Sequence, residues 1–163
     1  MRVNGLCACG GLQNLVMHAH TVLVAVESQG VREAIVAMLS TVDTFRVVGA
    51  VGTKDQALEC ARRERPALAV VDQGLADCGA WWLMHSIRQE ALARAVVALG
   101  LRANCYEAEL AGAQAYVQMG VSPRELVGVL EDALRRVDLA VEAEQDLLPD
   151  AHPVLVEPAL VDL

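Results

Sequence analysis

The chain has 163 residues, 55% of them hydrophobic and 21% charged, which is enough for one folded domain with its own core and too apolar for a disordered polymer. Its net charge of -8 excludes ordinary nucleic-acid binding by this chain alone, because phosphate contacts need clustered Lys and Arg, and it opposes docking on an acidic membrane surface. Aromatic residues make up only 3%, so the core has to be built from Val, Leu, Ala and Ile, and no apolar run reaches the roughly 18–20 residues of a membrane-spanning helix.

Residues 1–20 read as a flexible leader, weakly patterned and rich in Gly and Cys. Asn4, Gly5, Gly10 and Gly11 break any apolar signal-peptide core. Cys7, Cys9, His18 and His20 form a C-x-C…H-x-H set, but the spacing is not that of a standard zinc finger. Five cysteines scattered through a chain with a large core do not form a disulfide framework, and a reducing, cytoplasmic setting is expected. The first strand is expected at 21–26 (TVLVAV), a continuous apolar run of the kind buried on both faces of a sheet. A helix follows over 30–39 with Val31, Ile35, Met38 and Leu39 on one stripe.

The second strand is expected at 45–51 (FRVVGAV). Thr53 with Gln56 is a capping-box signal for the next helix, which Pro66 stops. The third strand, 67–71 (ALAVV), ends at Asp72. Asp77 can cap a helix that carries Trp82, Leu83, Ser86 and Ile87, with one of the adjacent Trp81 and Trp82 in the core and the other exposed. The fourth strand is 95–99 (AVVAL), Asn104 and Glu107 open a short helix, and the fifth strand is 115–118. Ser122-Pro123-Arg124-Glu125 begins the last helix with a cap, a Pro at the first helical position and a Glu at the third. Residues 139–163 read as an acidic tail with Pro149, Pro153 and Pro158, which leaves 21–138 as the folded domain.

Strands alternating with helices predict an α/β fold, a doubly wound parallel sheet of five strands in the order 2-1-3-4-5. Ligands of such folds sit beyond the carboxyl ends of the strands, which points to Glu27, Asp72, Gly100 and Met119.

Over residues 21–136 the sequence resembles the CheY-like receiver domain of bacterial response regulators, most of all receivers of the LuxR/NarL type. The resemblance is carried by Gly30-Val31-Arg32-Glu33-Ala34, Phe45-Arg46-Val47-Val48-Gly49, Arg65-Pro66-Ala67-Leu68-Ala69-Val70-Val71-Asp72, Gly112-Ala113-Gln114-Ala115-Tyr116 and Ser122-Pro123-Arg124-Glu125-Leu126, in the family's order and spacing. It implies two-component signalling, in which a histidine kinase phosphorylates an aspartate at the end of the third strand. Asp72 stands in that place and is the candidate phosphoacceptor. The family holds Mg²⁺ with two acids after the first strand, the aspartate itself and a carbonyl two residues on. Here those places are Val26 and Glu27, Asp72 and Gly74, so one acid is replaced by an apolar residue and Mg²⁺ binding is expected to be weakened.

The family's switch hydroxyl falls at Gly100, its Lys at Met119 and its switch aromatic at Tyr116. Arg102, two residues past Gly100, is the candidate to replace the Lys charge. With one acid, the hydroxyl and the Lys absent, ordinary phosphoryl transfer should be badly impaired, since each such partner is worth on the order of 10²–10³ in rate. The expectation is therefore a degenerate, non-enzymatic receiver acting through protein partners (a histidine kinase or an effector), and as a homodimer. The alternatives are a response regulator phosphorylated on Asp72, and a small-molecule sensor using the more apolar pocket around Val26, Gly100 and Met119.

Overall fold

A computed structural model describes residues 19–76, 79–101 and 105–146. Expectations placed on Cys7, Cys9, His18, Asp77, Arg102, Asn104 and the chain beyond 146 lie outside the described residues. In chain order the elements are β1 (His20–Ala25), α1 (Gln29–Leu39), β2 (Phe45–Val51), α2 (Lys54–Glu64), β3 (Leu68–Asp72), α3 (Gly79–Gln89), β4 (Ala95–Gly100), α4 (Cys105–Leu110), β5 (Ala115–Gln118) and α5 (Pro123–Asp146). The five strands form one parallel sheet in the order β2-β1-β3-β4-β5. This is the doubly wound α/β architecture expected from the alternation of apolar runs with amphipathic segments.

Successive strand residues point to opposite faces, and that alternation splits the core in two. Val22 and Val24 of β1, Val70 of β3 and Val97 of β4 pack with Ile35 and Leu39 of α1 and with Leu126 and Leu130 of α5. Leu23, Ala25, Val71 and Ala98 face the other way, onto Leu58 and Ala61 of α2, Leu83 and Ile87 of α3 and Ala108 of α4. Every residue of β3 and β4 is buried. Hence these strands read as unbroken apolar runs with the single exception of Asp72.

The helix signals act locally as their chemistry dictates. The Thr53 hydroxyl accepts the Gln56 N–H at 3.4 Å to start α2, and the helix ends at Arg65 in the left-handed region (φ 45°) just before Pro66. At α5 the capping box closes both ways. Ser122 N–H donates to Glu125 Oε2 at 2.8 Å, and Glu125 N–H donates to Ser122 Oγ at 3.3 Å.

Two expectations are corrected. Neither tryptophan of the adjacent pair enters the core: Trp81 is 51% exposed and Trp82 44%. The buried stripe of α3 is Ala80, Leu83, Met84 and Ile87, so both indoles fall on its flanks. Trp81 stacks on His85 with ring centroids 5.3 Å apart, and Lys54 Nζ lies 5.8 Å from the Trp82 ring. Second, α5 does not stop near 138 but runs to Asp146, into the segment read as tail. That stretch (LAVEAEQD) contains strong helix formers and neither Gly nor Pro, and its described side chains, 139–145, are exposed. Arg94 beside β4 pairs with Asp138 and ties the middle of this long helix to the sheet. Among the described residues, no helix is long and apolar enough to cross a membrane.

Candidate functional site at the carboxyl ends of the strands

The order 2-1-3 reverses the winding between β1 and β3, and this opens a crevice beyond their carboxyl ends. A cleft of about 810 Å³ lies there, lined in part by Glu27, Asp72, Gly74, Gly100 and Met119. The fold thus brings five of the sequence-selected positions together.

Asp72 closes β3 and is the one buried charged residue among those described, 5% exposed. Its Oδ1 accepts the Gly74 N–H at 2.8 Å, and its carbonyl accepts the Leu75 N–H at 3.2 Å. The Gln73 N–H donates to Leu99 O at 2.7 Å, which prolongs the β3–β4 ladder and fixes the turn that carries the carboxylate. Glu27 is exposed in the loop after β1. That loop is clamped by Arg32 of α1, whose Nη1 donates to Val26 O at 2.6 Å and to Glu27 O at 3.1 Å.

Val26 does not line the cleft. It is fully buried in the core on the α1 and α5 side, with its N–H donating to Val51 O at 3.0 Å. Tyr116 is also absent from the lining; it is half-buried and packs toward the α2–α3 side of the sheet. Its hydroxyl nevertheless bears on the site through Gly100. A Cβ at Gly100 would sit 2.6 Å from Tyr116 Oη and 2.6 Å from Gln73 Oε1. The space that a side chain at the end of β4 would enter is therefore occupied by two polar side-chain ends, from Gln73 in the turn after β3 and from Tyr116 of β5. Met119 lines the cleft and donates its N–H to Gly100 O at 2.7 Å.

The acidic donors form an incomplete version of the cation site that the resemblance implies. Asp72, Glu27 and the Gly74 backbone are in place, but Val26 at the remaining place is apolar and turned away. Among the described residues, no three His, Cys, Asp or Glu side chains converge as a metal-holding group. These residues do not fit the full cation site.

Sequence reasoning missed Arg32, Gln73, Trp81 and Glu107. The last three line the cleft, and Arg32 shapes its β1 edge. Gln73 directly follows the strand-end acid, and Glu107 sits in the first turn of α4, so their positions were legible. The hydrogen bonds of Arg32 to the loop before its own helix were not.

No family model matches the chain, and no curated protein matches it by sequence. Solved structures do match. A two-component response regulator of the LuxR family from Aurantimonas sp. SI85-9A1 superposes with TM-score 0.67 at 24% identity, over 79% of this chain and 99% of that one. The signal receiver domain of the response regulator NarL from Mycobacterium tuberculosis gives 0.67 at 21% identity, over 72% and 97%. The CheY-like receiver domain protein from Methanospirillum hungatei JF-1 gives 0.65 at 19%, over 75% and 98%. The five-stranded parallel sheet in the order 2-1-3-4-5, flanked by helices, matches these neighbours: the chain has the CheY-like fold of response-regulator receiver domains.

Proposed function

We propose that the protein is an atypical receiver domain of two-component signalling that works in the cytoplasm by protein–protein contact, without depending on phosphorylation of Asp72. The observation that carries this reading is the filled space over Gly100, where Gln73 Oε1 and Tyr116 Oη each lie 2.6 Å from the position of a Cβ. In the family that the chain resembles, a hydroxyl at this place takes up the phosphoryl group and moves the switch. Here that group is absent and its room is taken from both sides. Met119 supplies no cation at the end of β5, and Val26 supplies no acid at the end of β1. All of these losses act on the same transferring group, so they weaken one step together. Contact surfaces are offered by exposed Leu110 of α4 and exposed Leu139 and Val141 of the last helix, and a homodimer or an effector protein is the proposed partner.

The test is incubation with Mg²⁺ and acetyl phosphate or phosphoramidate, read by intact mass beside an ordinary receiver, with Asp72→Asn as control. The expected result is no phosphoryl gain under conditions that label the ordinary receiver. A gain that vanishes in Asp72→Asn would overturn the reading in favour of a working phosphoacceptor.

A further inference from the structure

We propose that the cleft at the strand ends takes a small amphipathic amine, its cationic end at Asp72 and Glu27 and its apolar body along the wall made by Trp81, Met84, Leu101 and Met119. The inference rests on the reading above in one respect: Asp72 must remain an unmodified carboxylate.

Three features converge. The first is charge. Asp72, Glu27 and Glu107 line the cleft, and no Lys, Arg or His lines it among the described residues. Among the described residues, Arg32 beside the β1 edge of the cleft is engaged by the carbonyls of Val26 and Glu27. The second is the state of Asp72. It is 5% exposed, yet only Oδ1 has a hydrogen-bond partner among the described residues, the Gly74 N–H. A carboxylate accepts several hydrogen bonds, and the second oxygen of Asp72 is not among the buried atoms left without a partner, so it is not sealed off and can take a donor or cation from the cleft. An ammonium at that oxygen supplies both.

The third is the wall. Trp81 borders the cleft, and its ring stacks parallel to His85, at 4°. A separate apolar groove of about 310 Å³ lies between α1 and the start of α5, lined in part by Ile35, Leu99 and Leu126, and it shares Val31 and Met119 with the cleft. A hydrated divalent ion gains nothing from such walls. A cation with an apolar body satisfies the carboxylates and the walls together, and a cleft of about 810 Å³ suits a small molecule.

The test is calorimetric titration of the full chain with three probes of one shape: 2-phenylethylamine, neutral 2-phenylethanol and anionic 3-phenylpropanoate, at constant ionic strength. The amine is expected to bind at least about tenfold more tightly than the alcohol, and the carboxylate not to bind, because the charge-assisted contact to a buried acid is made by the amine alone. Asp72→Asn should remove about tenfold of the amine's affinity and leave the alcohol's unchanged. Glu27→Gln, at an exposed position that does not threaten folding, should weaken the amine alone by about threefold. The amine should shift the indole N–H resonance that disappears in Trp81→Phe. Equal binding of amine and alcohol, or amine binding indifferent to both acid substitutions, would overturn the proposal. The two readings fail separately: a phosphoryl label on Asp72 refutes phosphorylation independence, whereas indifference of the amine to Glu27→Gln and Asp72→Asn refutes this site.

Discussion

Ala91 sits just past α3 with φ 48°, and its neighbour Leu92 N–H returns to Ile87 O at 2.9 Å. This is a helix end that glycine normally supplies, because a Cβ in the left-handed region costs roughly 1 kcal/mol. Ala91→Gly is therefore expected to stabilise the protein by about 0.5–1 kcal/mol, read as a rise in Tm. Gly49 shows the opposite constraint. A Cβ there would stand 2.3 Å from Cys60 Sγ, in the core between β2 and α2. Gly49→Ala should destabilise by about 1–3 kcal/mol, and adding Cys60→Ala should recover part of that loss in a double-mutant cycle. Burial pushes the Cys60 thiol up from its ordinary value, so alkylation of the native protein at neutral pH should be slow. At Asp72, Asn keeps an oxygen acceptor for the Gly74 N–H and removes a buried charge. Asp72→Asn should thus leave stability unchanged or raise it by about 1 kcal/mol in denaturant unfolding.

Elements were legible wherever a local rule suffices. The Ser122 and Glu125 cap of α5 was readable because capping is a contact between residues three apart. Hydrogen bonds from Ser122 hold the Glu125 carboxyl below its ordinary value, and the bidentate Arg62 contact, at 2.8 and 3.0 Å, does the same for Glu90. A carboxylate with a folded pKa below its unfolded one contributes stability above the unfolded value and loses it as pH falls through the folded one. Thermal unfolding should therefore show Tm falling as pH drops below about 4.5, with a shallower fall in Glu125→Gln and in Glu90→Gln. The register of α3 was not legible in the same way. Its sequence, GAWWLMHSIRQ, supports a buried stripe with or without an indole. Only packing against β3 and β4 selects Ala80, Leu83, Met84 and Ile87 and leaves both tryptophans outside.

For the molecule as a whole, the amino-acid sequence by itself determined the alternation of apolar runs with amphipathic helices, and from it the parallel sheet. Strands apolar on both sides have to be covered on both sides, and right-handed crossovers then leave few windings. It also determined that an acid ends β3, at the carboxyl edge of the sheet, although it did not show that this acid is buried. Tertiary structure decided the rest. It set Gln73 and Tyr116 over Gly100, sent Val26 into the opposite core, placed Arg32 on the carbonyls of the loop after β1 and drew Trp81 and Glu107 to the cleft. Apart from the Arg32 clamp, which reaches back only five and six residues, these depend on distances between segments far apart in the chain. The spacing of residues along a strand or helix fixes which face a side chain takes, but not which partner from another element is already there.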